Sequence, residues 1–229
     1  MEISYVIPVY NGVAVIAETI ESLLRQKHKD YEIIVVDDAS TDEIDLLKDF
    51  YVGEYKQIIW VQNEERKGAA YCRNVGNSLA LGDIIAVCDA GDYYMANRGS
   101  ELVKFFSENE DKDLVYSHVQ CNAANGDILY TQEAVEWDGN GKPPISHPTV
   151  AYRKRLVNNI QYFESSLETD FYEFFMIDAF RDGYKFGFIP RILCVKTDLA
   201  GSENYRDVKG AKEEKRKRYE EYGIEVKHV

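Results

Sequence analysis

The sequence lacks a surplus of basic residues, a long apolar run and any closely spaced pair of cysteines. It has 27 Lys and Arg against 40 Asp and Glu, so its net charge is −13. A protein that binds nucleic acid needs a basic surface to meet the phosphates, so this balance argues against nucleic acid as a partner. It leaves a nucleotide ligand open, because a metal ion and one or two local cations can meet its phosphates.

The absence of a long apolar run argues against a transmembrane helix in this sequence. No apolar segment approaches the roughly 20 residues that a transmembrane helix needs, so we expect no transmembrane segment. Met1 and Glu2 lead directly into a predicted strand, so we also expect no signal peptide. The cysteines, at positions 72, 88, 121 and 194, form no C-x-x-C pair. We therefore predict reduced core cysteines and a cytoplasmic protein.

Two common catalytic signatures are absent as well. The four histidines show no H-x-x-x-H spacing of the kind that binds zinc. No G-x-G-x-x-G motif follows the first predicted strand, which disfavours a dehydrogenase. We interpret His147, which precedes Pro148, as a structural residue.

Strand and helix patterns alternate through the first 90 or so residues. Short apolar runs predict strands at 3–8, 31–36, 57–61 and 83–88, with helices between them. Such an alternation with short connections is typical of an α/β protein with a doubly wound parallel sheet. Ser40 and Glu43 have the three-residue separation of a capping box, which predicts the start of a helix.

The second half of the chain carries weaker patterns. They predict helices at 98–107 and 168–181 and strands at 113–120, 127–131, 186–190 and 192–196. The segment 209–222 is so rich in charge that we expect a helix with a solvated face. No linker separates the two halves, so the second half is expected to pack against the sheet of the first.

The stretch from Ile84 to Asp92, I-I-A-V-C-D-A-G-D, is the most informative one. Its apolar part predicts a strand that is buried on both faces, and Asp89 and Asp92 follow the carboxyl end of that strand. Open α/β sheets bind ligands in the crevice at that edge, and carboxylates near a phosphate hold Mg²⁺ or Mn²⁺. A plain turn is the alternative, because Asp and Gly are both turn residues.

Three further groups of polar residues stand at strand ends or helix starts. Asp37 and Asp38 end the second strand. An acid there could accept hydrogen bonds from a nucleobase imide or ribose hydroxyls, or it could simply belong to a turn. Lys67 and Arg73 flank a small-residue helix start, which favours a phosphate but also fits an ordinary helix. Asp170 begins another helix, either as a general base toward an acceptor hydroxyl or as an N-cap.

In order and spacing, these motifs resemble those of the family 2 glycosyltransferases, which have a GT-A fold. The resemblance covers residues 3 to about 197, through V-I-P-V-Y-N, V-V-D-D-A-S-T-D, N-E-E-R-K-G-A-A-Y-C-R-N-V-G, L-G-D-I-I-A-V-C-D-A-G-D, H-P-T-V-A-Y-R-K and E-T-D-F. It implies a doubly wound, mostly parallel sheet with helices on both faces and a smaller acceptor-side portion. It also implies an inverting transferase that moves a hexose from a nucleoside-diphosphate sugar to a hydroxyl of a glycan or lipid-linked glycan.

The resemblance implies nucleotide-sugar-binding roles for particular residues. Pro8 and Tyr10 match positions that line the nucleotide pocket, and Asp38 matches the acid that contacts the base. Arg73 matches an arginine near the base and the diphosphate. Lys67 is the other cation that we expect to meet the phosphates.

The resemblance also implies a metal site and a catalytic base. Asp89 and Asp92 match the acidic motif that binds a divalent metal, Mn²⁺ or Mg²⁺. Asp89 is also expected to bind the nucleotide sugar. Asp170 best matches the catalytic base. The usual motif reads D-x-D-D, whereas Gly91 occupies its third position here. Either Asp92 takes over as the metal carboxylate, or the chain is a non-catalytic module that binds a nucleotide or a glycan.

On this interpretation the chain has three parts. Residues 1–95 form the nucleotide-sugar-binding half, 96–200 the acceptor-side half of the same domain, and 201–229 a charged C-terminal loop and helix. The chain could also form a homo-oligomer.

Two other functions fit the sequence less well. A nucleotidyltransferase would carry a Gly-rich phosphate loop with an arginine after the first strand, whereas residues 8–12 read P-V-Y-N-G here. A phosphoacceptor domain using Asp37 and Asp38 would be shorter than this chain.

Overall fold

A computed structural model describes residues 1–162, 172–198 and 211–224. The elements in chain order are β1 (Ile3–Val9), α1 (Ile16–Leu24), β2 (Tyr31–Asp37), α2 (Ile44–Glu54), β3 (Ile58–Gln62), α3 (Ala69–Leu79), β4 (Ile84–Val87), β5 (Tyr93–Tyr94), α4 (Arg98–Glu108), β6 (Leu114–Ala123), β7 (Ile128–Gln132), β8 (Ala151–Arg153), α5 (Tyr172–Arg181), β9 (Phe186–Asp198) and α6 (Ala211–Glu221). Two 3₁₀ turns, His147–Thr149 and Lys154–Asn158, flank β8.

The nine strands of the described residues form one sheet. Their order is β3-β2-β1-β4-β8-β6-β9-β5, and β7 pairs with β6. The pairs β2–β3, β1–β2 and β1–β4 are parallel, as the alternating pattern predicts. β8 runs antiparallel to β4 and β6, while β6 and β9 are parallel. The carboxyl ends of β1, β2 and β4 therefore lie at the same edge of the sheet.

The sheet separates two hydrophobic cores. In β2, Ile33 and Val35 belong to the core that includes residues of α1, α2 and α4. The alternate residues Ile34 and Val36 belong to the core that includes residues of α3, α5 and α6. Because helices cover both faces, both sets of side chains are apolar, and the strand is a continuous apolar run in the sequence.

The small-residue helix α3 lies close against β1. A Cβ atom placed on Gly76 would come within 2.3 Å of Val6 Cγ1, a separation that real side chains do not reach. Glycine at this position therefore allows the close approach of helix and strand. Arg73, one turn earlier on α3, is thereby held near the sheet.

The predicted capping box at the start of α2 is wrong. The helix begins after Glu43, and no side chain caps its first turn. Ser40 Oγ instead accepts a 2.9 Å hydrogen bond from the backbone N–H of Asn11. Asp42 Oδ2 likewise accepts one of 2.9 Å from Val13 N–H. These polar side chains join the loop after β2 to the loop after β1, because each finds a backbone partner across the sheet edge.

Helix α6 is docked on the protein rather than simply solvated. Tyr219 is buried, and its hydroxyl donates a 3.2 Å hydrogen bond to the Glu173 carboxylate. Lys215 forms an ion pair with the same carboxylate. The ring of Tyr222 stacks on Phe174 with centroids 5.5 Å apart. A few anchoring side chains are enough to attach a helix whose other residues are charged.

The predicted strands at 186–190 and 192–196 are one strand, β9. Its pairing with β6 jumps from Ile189 to Ile192, so Pro190 and Arg191 form a bulge. Proline has no N–H to donate to a sheet, which explains the break in the pattern. None of the helices in the described ranges combines the length and apolar character that a bilayer crossing needs.

Candidate active site

The loop after β1 provides one wall of the candidate site. Pro8 is buried within β1 and pairs with Val36 of β2. Tyr10 follows β1 and is half-buried. The guanidinium of Arg66 lies over the Tyr10 ring, 4.1 Å from its centroid. Sequence reasoning did not identify Arg66, because nothing local links it to a tyrosine far earlier in the chain.

Asp38 is only 3% exposed and binds the loop that leads into α3. Its Oδ1 accepts hydrogen bonds from Asn63 Nδ2 at 2.8 Å and from the backbone N–H of Lys67 at 2.9 Å. Its Oδ2 accepts a 2.7 Å bond from Gly68 N–H. The carboxylate thus fixes the start of α3. Its predicted contact with a nucleobase stays a prediction.

The side chain of Lys67 lies on the surface. It is 43% exposed and forms an ion pair with Glu65. The part of Lys67 that joins the site is its backbone N–H, through Asp38. Contact between the Lys67 ammonium and a diphosphate stays a prediction, and it would require the pair with Glu65 to open.

Arg73 and Asp89 form an ion pair at the sheet edge. Arg73 Nη2 donates to Asp89 Oδ1 at 2.7 Å, and their side chains are 5% and 22% exposed. Burial alone would raise the pKa of Asp89, but the positive charges of Arg73 and Lys196 outweigh that effect and hold the pKa below its usual range. Asp89 is therefore an ionised carboxylate that solvent and ligands can reach.

The acidic loop is held in place by side chains from other elements. The N–H of Asp89 donates to the Tyr94 hydroxyl at 2.7 Å, and the N–H of Gly91 donates to Thr19 Oγ1 at 2.9 Å. The Thr19 hydroxyl donates in turn to the carbonyl of Asp92 at 2.9 Å. Gly91 has φ +95°, a backbone conformation that glycine adopts without strain. The loop is thus fixed in shape on helix α1.

Asp92 is buried, in contrast to Asp89. It is 5% exposed, and its Oδ2 lies 4.0 Å from Cys194 Sγ. Burial and the neighbouring Asp89 raise the pKa of Asp92 well above its usual value. Its role as a metal ligand stays a prediction, and its burial favours a supporting role behind Asp89.

The donor atoms nevertheless fit a divalent cation. Across residues 1–162, 172–198 and 211–224, no three His, Cys, Asp or Glu side chains cluster as a complete metal cage. Mg²⁺ commonly takes one or two carboxylates, substrate phosphates and water rather than an all-protein cage. Asp89 offers such a carboxylate, ionised and partly exposed.

His147 lies behind this pair in an aromatic cluster. Its ring stacks on Tyr172 with centroids 4.5 Å apart, and its Nε2 lies 3.1 Å from the Tyr162 hydroxyl. Burial, followed by the charge of Arg73, lowers the pKa of His147 well below its usual value, so the ring is neutral. These contacts agree with the structural role expected from the sequence. Tyr162 also lies beneath Arg73, 5.7 Å from Arg73 Cζ to the ring centroid.

Lys196 is a cation near the acidic motif that sequence reasoning missed. It stands two residues after Cys194 on β9, so both side chains are on one face of the strand, toward Asp92. Burial would lower the pKa of Lys196, but Asp89 and Asp92 outweigh that effect and raise it. No local sequence signal marks this lysine, because β9 reaches the site only through the sheet.

The predicted catalytic base, Asp170, lies outside the described residues, as does Glu168. Glu173, the alternative on the same helix, is 1% exposed. Its Oε1 is bound by Lys215 and Tyr219 of α6, and its Oε2 is buried away from solvent. Glu173 is therefore tied to the C-terminal helix and is poorly placed to accept a proton from a ligand.

Several relatives in sequence carry glycosyltransferase names. The glycosyltransferase MJ1057 of Methanocaldococcus jannaschii is 28% identical over 196 residues, which cover 82% of this chain and 67% of the relative. A glycosyltransferase of Rickettsia felis is 33% identical over 157 residues, 65% of this chain and 25% of the relative. The Escherichia coli protein named UDP-Glc:alpha-D-GlcNAc-diphosphoundecaprenol beta-1,3-glucosyltransferase WfaP is 37% identical over 120 residues, 51% of this chain and 45% of the relative. The chain thus spans between a quarter and two thirds of these relatives.

Solved structures share the architecture. Staphylococcus aureus TarS 1–349 in complex with UDP-GlcNAc superposes with a TM-score of 0.69 at 23% identity, covering 88% of this chain and 60% of that one. The mannosyltransferase PcManGT from Pyrobaculum calidifontis, in complex with GDP-Man and Mn²⁺, gives 0.67 at 18% identity, covering 87% and 58%. Identities this low show the fold alone, and they confirm the predicted GT-A fold.

The family assignment comes from a match over most of the chain. The model of the family described as glycosyl transferase family 2 matches residues 4–182. The matched region runs from the second residue of β1 to the end of α5 and includes the ion pair between Arg73 and Asp89. This chain therefore belongs to glycosyl transferase family 2.

Proposed function

We propose that this chain is an inverting glycosyltransferase that moves a hexose from a nucleoside-diphosphate sugar to a hydroxyl of a glycan or glycan-precursor acceptor. The observation that carries the proposal is the Arg73–Asp89 pair, 2.7 Å apart, at the carboxyl edge of the parallel strands. Open α/β sheets bind ligands at this edge. Because the chain belongs to a glycosyltransferase family, the expected ligand at this pair is a nucleotide sugar. TarS in complex with UDP-GlcNAc and the diphosphoundecaprenol acceptor in the name of WfaP support the two substrate classes.

On the donor side, residues 1–95 bind the nucleotide sugar. Pro8, Tyr10 and Asp38 contact the base and ribose, and Arg73 meets the diphosphate, helped by Lys67. Arg73 can serve both Asp89 and a phosphate because a guanidinium has five N–H donors in a fixed fork.

The proposed cofactor is a divalent metal, Mn²⁺ or Mg²⁺, and PcManGT in complex with Mn²⁺ supports it. Asp89 would hold the ion, with Asp92 supporting the loop or contributing a ligand. When bound, the ion supplies positive charge that neutralises the leaving diphosphate.

On the acceptor side, residues 96–200 present the attacking hydroxyl. The acceptor oxygen forms a bond to the anomeric carbon from the side opposite the diphosphate. The bond from that carbon to the diphosphate oxygen breaks, and the nucleoside diphosphate leaves with the electron pair. Asp170 takes the hydroxyl proton as general base. The cytoplasmic location and the division of the chain at residues 95 and 200 stay predictions.

Donor hydrolysis tests the proposal. The chain is incubated with UDP-, GDP-, CDP- and dTDP-sugars, with and without Mn²⁺, and release of the nucleoside diphosphate is measured. We expect one donor to be hydrolysed slowly, and Asp89→Asn to abolish the activity. Asp83→Asn is the matched control, because Asp83 is an exposed aspartate at the opposite end of β4. Absence of both binding and hydrolysis across the panel would contradict the proposal.

A binding module that uses the same fold is the second candidate. Gly91, in place of the usual motif carboxylate, favours it. Such a module would bind one nucleotide sugar in calorimetry yet release no nucleoside diphosphate, with or without a glycan acceptor. Turnover with any donor excludes this candidate.

A further inference from the structure

A pocket of about 340 Å³ lies in the second half of the fold, and one of its lining residues, Lys196, interacts electrostatically with Asp89 and Asp92 of the acidic motif. Its walls come from the β6–β7 hairpin, the segment 142–146, the start of α5 and β9. Pockets of this size hold small ligands such as a monosaccharide with a substituent. Nothing in the sequence patterns marked this cavity, because its walls are brought together only by the sheet.

The charge of the pocket is opposite to that of the protein. Lys142 and Lys196 are the charged side chains among the described residues that line it, and none of those lining residues is acidic. The whole chain, by contrast, has 40 acidic and 27 basic residues. Two lysines facing one cavity without a lining carboxylate therefore make a local positive site in an acidic protein.

Lys196 is available for a ligand. Within the described part of the chain, its ammonium has no hydrogen-bond or ion-pair partner, although the charges of Asp89 and Asp92 attract it. The ammonium of this half-buried lysine is partly removed from water, and the attraction of Asp89 and Asp92, rather than a direct partner among the described residues, offsets that loss. An anionic ligand group would supply the missing partner.

A chain of side-chain contacts links the pocket to the candidate donor site. Tyr172 lines the pocket and stacks on His147, whose Nε2 lies 3.1 Å from Tyr162, the tyrosine beneath Arg73. Lys196 lines the pocket and is also under the electrostatic influence of Asp89 and Asp92. The pocket and the acidic motif are therefore close enough to share one cation.

The other lining groups suit a sugar. Tyr130 and Tyr172 offer aromatic rings, and Gln132 offers an amide for hydroxyl groups. A phosphate carries about two negative charges at neutral pH, which two lysines can match, whereas a carboxylate carries only one. Lysine binds phosphate as a point charge without a fixed bidentate geometry.

We propose that this pocket is the acceptor site and that the acceptor is a sugar carrying a phosphate group, which Lys142 and Lys196 recognise. That the ligand is the acceptor of the transfer rests on the proposed function. The preference of the pocket for a phosphate can be tested without any donor. The same phosphate chemistry occurs in a water-soluble sugar 1-phosphate and in a sugar attached to a lipid diphosphate.

Calorimetry with matched ligands tests the selectivity. The probes are hexose and N-acetylhexosamine 1-phosphates, the corresponding neutral methyl glycosides, and the same sugars on farnesyl diphosphate. We expect the phosphate-bearing ligands to bind at least about tenfold more tightly than the glycosides, the effect of one charge-assisted hydrogen bond. Tighter binding of the farnesyl compounds would identify the lipid-linked form, and tighter binding of the 1-phosphates the soluble form. Equal binding of phosphates and neutral glycosides would overturn the proposal.

Charge-removing variants locate the binding. Lys142→Gln and Lys196→Gln should each weaken phosphate binding about tenfold. Lys104→Gln is the matched control, because Lys104 is an exposed lysine on α4 that does not line this pocket. An equal loss in the control, or competitive displacement of the sugar phosphate by UDP or GDP, would overturn the proposal. Circular dichroism confirms folding, and Lys142→Arg, which keeps the charge, should retain binding.

Donor hydrolysis, measured on the same protein, separates this inference from the proposed function. If no donor is bound or hydrolysed, the transferase proposal fails, while lysine-dependent binding of sugar phosphates still supports the pocket. If a donor is hydrolysed but phosphates bind no better than neutral glycosides, the transferase proposal stands and the phosphate site is rejected.

Discussion

Arg73 on α3 donates a 2.7 Å hydrogen bond to Asp89 on the loop after β4, so the small-residue helix and the acidic motif are joined by one ion pair. The arginine side chain is 5% exposed and the carboxylate 22%, so the carboxylate is the partner that a ligand can reach. The pair therefore links the residue proposed to meet the diphosphate with the one proposed to hold the metal.

Arg73→Gln is expected to destabilise the protein by about 3 kcal/mol at pH 7, because it leaves a largely buried carboxylate unpaired. The folded pKa of Asp89 is lowered, so its contribution to stability is present above the unfolded value of about 4 and is lost as pH falls through the folded pKa. The loss should therefore shrink below about pH 4. Urea unfolding at pH 7 and pH 3.5 measures this difference.

Arg155→Gln is the control for that measurement. Arg155 pairs with Asp113 at the same 2.7 Å, but its side chain is 56% exposed, and Asp113, itself 10% exposed, would keep a hydrogen bond from the backbone N–H of Lys185. We expect a loss of only about 0–1 kcal/mol there. Equal losses in the two variants would contradict the importance of burial at Arg73.

Asp92→Asn is expected to raise stability at neutral pH. The folded pKa of Asp92 is raised, so its contribution to stability is present below the unfolded pKa and is lost as pH rises through the folded pKa. Asparagine resembles the protonated acid, so the stabilisation should be largest at pH 8 and vanish near pH 4. Melting temperatures of both proteins across that range test it. A destabilised variant that also loses metal-dependent donor binding would instead make Asp92 a metal ligand.

Gly91→Asp restores the usual acidic motif and is expected to strengthen the effect of Mn²⁺ on donor binding. Gly91 has φ +95°, so any side chain there costs about 1–2 kcal/mol of stability. Gly91→Asn introduces the same backbone strain without a carboxylate and serves as the control. Donor affinity is measured by calorimetry with Mn²⁺ and with a chelator. Equal metal dependence in the two variants would show that the third carboxylate does not reach the ion.

Asp38→Ala is expected to weaken nucleoside-diphosphate binding by about 1–3 kcal/mol, the cost of leaving buried partners unpaired. It should also destabilise the start of α3, because Lys67 and Gly68 lose an acceptor for their N–H groups. Asp42→Ala, which removes an acceptor from the neighbouring loop, is the control. Unchanged nucleotide affinity in calorimetry of a folded Asp38→Ala protein would reject contact with the nucleotide.

Asp170→Asn is expected to reduce turnover by about 10²–10⁴-fold while donor affinity is kept, as the loss of a general base predicts. Glu173→Gln should instead lower stability with little effect on turnover, because Glu173 binds Lys215 and Tyr219 of α6. Turnover, donor affinity and urea unfolding of both variants separate the two roles. Near-normal turnover in Asp170→Asn rejects that base, and a collapse in Glu173→Gln would assign the role to Glu173.

Local patterns predicted the parallel half of the sheet and the edge at which the candidate residues gather. Strands such as β2 and β4 are covered on both faces, so burial alone imposes apolar residues at consecutive positions. The direction of a parallel strand then determines which edge receives the following polar residue, and Asp38 and Asp89 lie at that edge.

Hydrogen bonding of the polar side chains was harder to predict. Ser40 and Glu43 have the spacing of a capping box, yet Ser40 accepts its hydrogen bond from Asn11, which is distant in sequence. A hydroxyl binds whichever donor the fold brings near, and sequence spacing describes only the donors nearby in the chain.

The amino-acid sequence by itself determined the family, the parallel half of the sheet and the acidic motif, because these depend on residue order and on local burial. Only the tertiary structure decided that Asp89 is partly exposed while Asp92 is buried, and that Lys196 joins them from β9. It also decided that Glu173 is tied to α6. Solvent exposure and charge pairing depend on contacts between segments far apart in the chain, and such contacts exist only once the sheet has formed.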